Sequence, residues 1–397
     1  MPAPDVALIS PYPPAGEHHG GWTGVASYTA NLARALADDG ARVSVVAPTE
    51  PGEPAVADDG HVRVERPFER GPRAVPAAIR AARRTGAEVV HLQHEAFLYG
   101  GPASVPGLVA GLSSLRRSAT RSVVTMHHVV DGRTVDRSFT RMHRVSAPPS
   151  FARAGLSAVG GAIGRLADRV IVHEPAFAAA VRNATVVPHG VEDRDTPPRE
   201  QARRRLGLER FTVLCFGFVA PYKGLEPALG AARIAGPAVE LVVAGGEHPR
   251  LRDSGDHYLE HLRDSNPHAR FTGFVPDADV ADWFAGADLA LFLYPQPVSS
   301  SGGVALALAH GTPFLLSPEM AATTCAPDVL VASRDAGELA SLLRVLAGDR
   351  AALARVRDAA RGLSSDRSWP AVARRHVEIY EEVSSADRDA GGRLRAA

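Results

Sequence analysis

A single lysine stands in a turn that could hold a phosphorylated ligand. The chain has 397 residues and 44 lysines and arginines, and Lys223 is the only lysine among them. It follows the apolar run Phe211–Phe216 and the glycine Gly217, and it directly precedes Gly224. An ammonium in a turn at the carboxyl end of a strand is typical of phosphate sites in open α/β sheets. We therefore predict that Lys223 contacts a phosphate group.

Backbone N–H groups in two glycine-rich stretches could bind the same kind of ligand. Gly20 and Gly21 lie in a turn after the first predicted strand, where glycine lets the backbone approach a ligand closely. A second stretch precedes a helix predicted over residues 304–310. The N-terminus of that helix would present free N–H groups and the positive end of the helix dipole. The second stretch consists of Ser299, Ser300, Ser301, Gly302 and Gly303.

Polar side chains follow two further predicted strands. His127 and His128 end one strand, and Glu95 comes shortly after another. Together with His18 and Trp22 in the first glycine-rich turn, they predict a pocket for a small polar ligand. A structural role, in which the histidine rings are hydrogen-bonded inside the protein, is the alternative for the histidine pair.

The sequence does not predict a metal site. His91 and His94 are three residues apart on a predicted strand, so their side chains point to opposite faces. An HExxH motif and a DxD-type acidic pair are both missing from the candidate loops.

Composition narrows the class of protein. Hydrophobic residues make up 45% of the chain and charged residues 22%, which is typical of a globular protein. The formal net charge of zero gives no reason to predict a nucleic-acid partner. Cys215 and Cys325 fit neither a disulfide framework nor a zinc site, and neither a signal peptide nor a long apolar run is evident. We therefore expect a cytoplasmic protein.

Strands and helices alternate along the chain, which predicts an α/β protein with two doubly wound domains. The charged, proline-rich segment 192–198 is interpreted as the linker between residues 1–194 and residues 195–367. A last helix is predicted over residues 368–385. Residues 48–70, rich in proline, glycine and acidic residues, are predicted to be irregular.

Segment 133–145 is predicted to be a basic amphipathic helix. Three apolar residues, including Val135, share one face, while four arginines, including Arg137, share the opposite face. The segment could contact a membrane surface or an anionic substrate. A solvated helix face is the simpler alternative.

Six short motifs occur in an order and spacing that resembles the family-4 glycosyltransferases of the GT-B fold. That resemblance implies two Rossmann-like domains facing across a cleft, with the C-terminal helix crossing back to the first domain. It also implies transfer of a sugar from a nucleotide donor with retention of configuration. The motifs are Gly20-Gly21, Val124–His127, Val187–Val191, Gly217–Gly224, Phe271–Val275 and Gly311–Pro313.

The resemblance also implies roles for individual residues. Lys223 would contact the diphosphate of a UDP- or GDP-sugar, and His127 would lie near the transferred sugar as the second catalytic residue. The polar residues His18, Trp22, Glu95 and His128, rather than the resemblance, favour a small polar acceptor. No cofactor beyond the donor is implied. The remaining donor-binding residues would be Gly20, Gly21, Gly217, Phe218, Gly245, Phe274, Val275, Ser299, Ser300, Ser301, Gly302 and Gly303.

Three positions depart from the family pattern. Phe218 stands where the family has an arginine, and Val298 and Leu306 stand where it has two glutamates. Alternatives to the small-acceptor transferase therefore stay open. One is a lipid or polysaccharide glycosyltransferase at the membrane surface. Another is a pseudo-glycosyltransferase, which would join a cyclitol, or a non-catalytic protein that binds sugar nucleotides.

Overall fold

The computed structural model describes residues 5–14, 23–96, 98–130, 135, 137, 140, 147–247, 257–296, 301–364 and 367–395, with side chains up to residue 385. These residues form two compact units. The first unit runs up to residue 190 and resumes at residue 367, and the second spans residues 191–364. The predicted boundary between residues 194 and 195 remains a prediction.

In the described part of the first unit, eight strands form one sheet in the order β3-β4-β2-β1-β5-β6-β7-β8. All neighbours are parallel except β3 and β4, which pair antiparallel. Strand order reverses between β1 and β5, where a doubly wound sheet has its ligand-binding crevice. The strands are β1 (Val6–Ile9), β2 (Val43–Pro48), β3 (Val56–Asp59), β4 (Val62–Phe68), β5 (Val89–His94), β6 (Arg121–Met126), β7 (Arg169–Val172) and β8 (Ala184–Val186).

The prediction that residues 48–70 are irregular was wrong. Strand β4 alternates buried and more exposed residues, with Val62, Val64 and Phe68 on the buried face. Arg63 and Glu65 lie on the other face, and β3 is a short partner at the edge of the sheet. Acidic residues are compatible with the edge strand β3, and Pro67 lies where the β2–β4 register shifts, so composition concealed this hairpin.

Helices cover the sheet of the first unit, and the C-terminal helix packs against the same unit. The Tyr380 hydroxyl lies 2.7 Å from Nδ1 of His91 on β5, and the Trp369 ring packs on Gly190 and Tyr28. The helices are α1 (Gly24–Asp38), α2 (Ala74–Arg84), α3 (Val105–Arg116), α4 (Pro149–Leu166), α5 (Pro175–Ala178) and, at the C-terminus, Trp369–Arg395.

The described part of the second unit contains a parallel five-stranded sheet in the order β11-β10-β9-β12-β13. The strands β9, β10, β12 and β13 are largely buried apolar runs, as in parallel sheets that are covered on both faces, whereas β11 at the edge is partly exposed. Strand order reverses between β9 and β12. The strands are β9 (Phe211–Phe216), β10 (Val239–Ala244), β11 (Arg270–Gly273), β12 (Leu289–Phe292) and β13 (Phe314–Leu316).

Helices of the second unit connect these strands and follow the sheet. They are α6 (Arg199–Leu206), α7 (Leu225–Ala235), α8 (Tyr258–Ser265), α9 (Asp277–Gly286), α10 (Gly302–Ala309), α11 (Pro318–Thr324), α12 (Ala336–Gly348) and α13 (Arg350–Gly362); the C-terminal helix is α14. Among the described residues, no helix combines the length and apolar character needed to cross a bilayer. The predicted α/β class with two sheets is confirmed.

Candidate functional site

The second unit brings a cation to the point where its strand order reverses. Strands β9 and β12 are adjacent there, with Val213 opposite Leu289 and Leu214 opposite Ala290. The segment after β9 leads to Lys223, and the segment after β12 leads to Tyr294. Because parallel strands end at the same edge, both side chains lie at the edge where α/β sheets bind ligands.

Lys223 is held by two aromatic residues. Its ammonium donates a hydrogen bond of 2.7 Å to the Tyr294 hydroxyl and lies 4.7 Å from the centroid of the Tyr294 ring. It is also 5.5 Å from the ring centroid of Tyr222. Burial disfavours the ammonium, but its contacts with the two tyrosines outweigh burial, and the pKa of Lys223 is raised. Lys223 is therefore a fixed positive charge at neutral pH.

The hydrogen-bond chain continues from Tyr294 to the start of helix α10. The Tyr294 hydroxyl lies 3.0 Å from Oγ of Ser301, which caps α10 by accepting from the Val304 N–H. The Tyr294 oxygen accepts from Lys223, and either hydroxyl can be the donor in its contact with Ser301. The Lys223 ammonium, the Ser301 hydroxyl and the N-terminus of α10 can all donate hydrogen bonds, and this arrangement suits an anion.

Glycines in this region are required by close packing. A Cβ on Gly245 would lie 2.0 Å from the Gly217 carbonyl oxygen, and a Cβ on Gly303 would lie 2.7 Å from the Phe292 ring. Gly217 itself has a φ of 105°, which disfavours other residues. The backbone turn that carries Lys223 therefore depends on these glycines, as well as on Gly224 with a φ of 63°.

Two aromatic side chains near this edge are exposed to solvent. Phe274 is 73% exposed and Phe218 is 45% exposed. Their segments are neighbours because Val219 pairs with Glu247 and Gly245 pairs with Gly273. Val275, predicted with Phe274 to bind the donor, is partly buried against the core. These donor-binding roles remain predictions.

Several predicted donor-site residues lie outside the described residues. These are Gly20, Gly21, Ser299 and Ser300, together with the family-divergent position Val298. Leu306, the other divergent position, is on α10 and packs against the core of the second unit. A leucine in this environment offers no hydrogen-bond acceptor for a ribose hydroxyl.

In the first unit, His127 is buried at the carboxyl end of β6 and both ring nitrogens have protein partners. Nε2 lies 2.8 Å from the side-chain amide of Gln93, and Nδ1 lies 3.2 Å from Nε2 of His173. His173 Nδ1 lies 3.0 Å from the Val187 carbonyl oxygen and donates to it. Burial, followed by the neighbouring histidines, holds the pKa of His127 well below its usual value. The ring is a neutral, fixed member of the core.

This network extends to the C-terminal helix. His91 Nε2 lies 2.8 Å from the Thr125 hydroxyl, and its Nδ1 lies 2.7 Å from the Tyr380 hydroxyl. Sequence reasoning considered His91 only as a metal ligand and did not identify His173 or Gln93. Their positions at neighbouring strand ends were the available signal. Among the described residues, no group of three or more His, Cys, Asp and Glu side chains could hold a metal.

The predicted acceptor residues fall in two groups. Glu95 and His128 follow the adjacent strands β5 and β6, and burial lowers the pKa of His128. Glu95 also lines a largely apolar cavity of about 80 Å³ beside His94 and Leu108. His18 and Trp22 lie outside the described residues, as does most of segment 133–145, of which only residues 135, 137 and 140 are described.

Comparison with known proteins agrees with this architecture. Residues 22–195 match the model described as Glycosyltransferase Family 4. A phosphatidyl-myo-inositol mannosyltransferase from Mycolicibacterium smegmatis is 27% identical over 386 residues, covering 91% of each chain.

Two solved structures share the fold over almost the whole chain. Sucrose-phosphate synthase from Thermosynechococcus elongatus has a TM-score of 0.68 at 21% identity, covering 96% of this chain and 100% of that chain. HepE from Anabaena, in complex with UDP-glucose, has a TM-score of 0.68 at 16% identity with the same coverage. These findings confirm the predicted resemblance to family-4 glycosyltransferases and the GT-B fold that it implied.

Proposed function

We propose that this chain transfers a sugar from a nucleoside-diphosphate donor to a hydroxyl of a small polar acceptor, with retention of configuration. The observation that carries the proposal is the Lys223 ammonium, anchored at the ligand-binding edge of the second unit. Aminoglycoside-like natural products are one class of acceptor that such an enzyme would serve.

Lys223 acts where charge develops during the reaction. As the bond between the sugar and the diphosphate breaks, negative charge grows on the leaving phosphate. The ammonium, the Ser301 hydroxyl and the N–H groups of Gly302 and Gly303 stabilise that charge. The acceptor hydroxyl attacks the same face of the sugar, and its proton passes to the departing phosphate oxygen. The donor thus supplies its own base, and no protein carboxylate is required.

His127 serves this reaction as a fixed neutral ring near the transferred sugar. Its two hydrogen bonds, to Gln93 and His173, hold the ring and the end of β6 in one position. We propose that this rigid strand end shapes the sugar pocket. The reaction requires no metal in this proposal, because neither candidate loop carries an acidic pair. Transfer should therefore persist in EDTA.

The donor is a UDP- or GDP-sugar. HepE was solved with UDP-glucose, and the Mycolicibacterium smegmatis relative is a mannosyltransferase. These support a hexose donor and favour testing UDP-glucose and GDP-mannose first. Turnover is assayed against UDP-, GDP- and dTDP-sugars with a panel of aminocyclitol and simple glycoside acceptors. NMR of the product gives the anomeric configuration, and an inverted product would contradict the proposed mechanism.

A lipid acceptor is the second candidate. Similarity to a phosphatidyl-myo-inositol mannosyltransferase over 91% of the chain favours it. In addition, Phe151 on helix α4 is 71% exposed, as an interfacial side chain would be. Transfer from GDP-mannose to vesicles containing phosphatidylinositol tests this candidate, with phosphatidylcholine vesicles as the control.

The departures at Phe218, Val298 and Leu306 favour a third candidate, a non-catalytic protein that binds sugar nucleotides. It would bind a donor without transferring the sugar to any acceptor. Binding without turnover across both acceptor panels would support this candidate over the transferases. A cyclitol in the product would instead identify a pseudo-glycosyltransferase.

A further inference from the structure

We infer that Tyr294 positions Lys223 on the donor diphosphate and compensates for the arginine that Phe218 replaces. This inference rests on the proposed function and deepens it. The family that this chain resembles has an arginine and a lysine at positions 218 and 223. This chain has the lysine alone, with an uncharged, 45% exposed phenylalanine in place of the arginine. A lone ammonium on a flexible stem needs another group to fix it.

Tyr294 is itself rigidly held. Its side chain is 3% exposed, and its ring packs edge-on against Phe292 at 6.4 Å between centroids. Its backbone carbonyl accepts a 2.7 Å hydrogen bond from the buried Ser317 hydroxyl. The position of the Tyr294 hydroxyl is therefore fixed, and the hydrogen bond to it fixes the position of the Lys223 ammonium.

The hydrogen bonds of Tyr294 have a second effect. Its hydroxyl accepts from Lys223 and lies 3.0 Å from Oγ of Ser301, so it connects the ammonium with the cap of helix α10. The remaining ammonium hydrogens are left as donors to a ligand. Replacing Tyr294 with phenylalanine keeps the ring near the ammonium and removes only the hydroxyl that contacts Lys223 and Ser301.

Isothermal titration calorimetry of the full chain tests the inference, with UDP and GDP as diphosphate probes and uridine and guanosine as matched probes without phosphate. We expect Tyr294→Phe to weaken binding of the preferred diphosphate about tenfold, as loss of a hydrogen bond to a charged group predicts. Binding of the nucleoside should stay within about twofold. Tyr258→Phe, at a hydroxyl bonded to Glu226, is the control and should bind as the wild type does.

Phe218→Arg tests the compensation. In the Tyr294→Phe background it should restore diphosphate affinity to within about threefold of the wild type, since a second cation then shares the phosphate. In the wild-type background it should have a smaller effect, which makes the two substitutions non-additive. Thermal unfolding confirms that each variant is folded.

Distinct results would overturn the inference. Unchanged diphosphate binding by Tyr294→Phe would show that the tyrosine does not position the lysine. Equal weakening of diphosphate and nucleoside would show a structural role only. Additive effects would contradict the compensation by Tyr294. Failure of the wild type to bind either diphosphate would overturn the proposed function together with this inference.

Discussion

The Lys223 ammonium donates to the Tyr294 hydroxyl at 2.7 Å, although 71 residues separate them in the chain. The contact exists because β9 and β12 are adjacent and parallel, so the segments that follow them meet at one edge of the sheet. The donor site proposed for this chain is built on that contact.

Gly245→Ala should displace the turn that carries Lys223. Its Cβ would lie 2.0 Å from the Gly217 carbonyl, so the turn that leads to Lys223 must move. We expect a loss of at least about 2 kcal/mol in the free energy of unfolding and weaker binding of UDP or GDP. Urea unfolding and calorimetry measure both. Gly348→Ala, where a Cβ meets no atom within 4 Å, is the control; equal stability of the two variants would contradict the close packing.

Gly190→Ala should destabilise the contact between the first unit and its C-terminal helix. The new Cβ would lie 2.5 Å from the Trp369 ring, which is buried and cannot easily withdraw. We expect a loss of about 3 kcal/mol in urea unfolding. Gly155→Ala lies within helix α4 with no atom within 4 Å, and it should gain about 0.5 kcal/mol. A neutral effect at Gly190 would show that Trp369 does not pack tightly there.

Arg66 should be needed for the loop that precedes Gly20 and Gly21. It is 5% exposed and donates to the carbonyls of Tyr12, Pro13 and Pro48. Arg66→Met leaves these carbonyls without their donor, so we expect a loss of about 2–3 kcal/mol in stability, together with reduced transfer.

The neighbouring residue Arg63 supplies the control for this substitution. It lies on the same strand, and its side chain is 58% exposed and paired only at the surface with Glu65. Arg63→Met should therefore change the free energy of unfolding by less than about 0.5 kcal/mol. Equal effects of the two substitutions would argue against the loop-anchoring role of Arg66.

Stability should fall as the pH is lowered from 6.5 towards 4. Burial lowers the pKa of His173 to about 3 and of His94 and His376 to about 4. Below pH 6.5 the unfolded chain binds protons that the folded chain does not, which costs about 1.4 kcal/mol per pH unit for each histidine. Glu174, whose pKa burial raises to about 7, acts in the opposite direction, but it is a single group.

Urea unfolding at pH 7, 6 and 5 measures this dependence. His376→Leu removes one of the buried histidines, so its free energy of unfolding should decline less steeply over the same range. Stability that stays constant or increases from pH 6.5 to pH 5 would contradict the assignment of neutral buried histidines.

Much of the fold could be predicted from the sequence because its parallel strands are short, buried apolar runs. The predicted bounds of Phe211–Phe216, Val239–Ala244 and Phe314–Leu316 are confirmed. The β3–β4 hairpin was missed because β3 is acidic and β4 carries polar residues on one face. Apolar runs therefore identify strands that are buried on both faces better than strands with a polar face.

Less of the candidate site could be predicted. Lys223 could be predicted as a site residue because it is the only lysine in the sequence, whereas nothing in the sequence distinguishes Tyr294 from other residues that follow a strand. Its contact with Lys223 requires β9 and β12 to be adjacent, and the order of strands in the sheet could not be predicted from the sequence. The same reason applies to His127 and His173, whose contact requires β6 and β7 to be neighbours.

The binding of a nucleoside diphosphate to Lys223→Ala tests the central claim most directly. Calorimetry should show that wild-type protein binds UDP or GDP and that Lys223→Ala binds the same diphosphate at least about 30-fold more weakly. The corresponding nucleoside should bind both proteins within about twofold, and Arg233→Ala, an exposed cation on α7, should match the wild type. Equal diphosphate affinity of wild-type and Lys223→Ala protein would contradict the claim that this lysine holds the donor diphosphate.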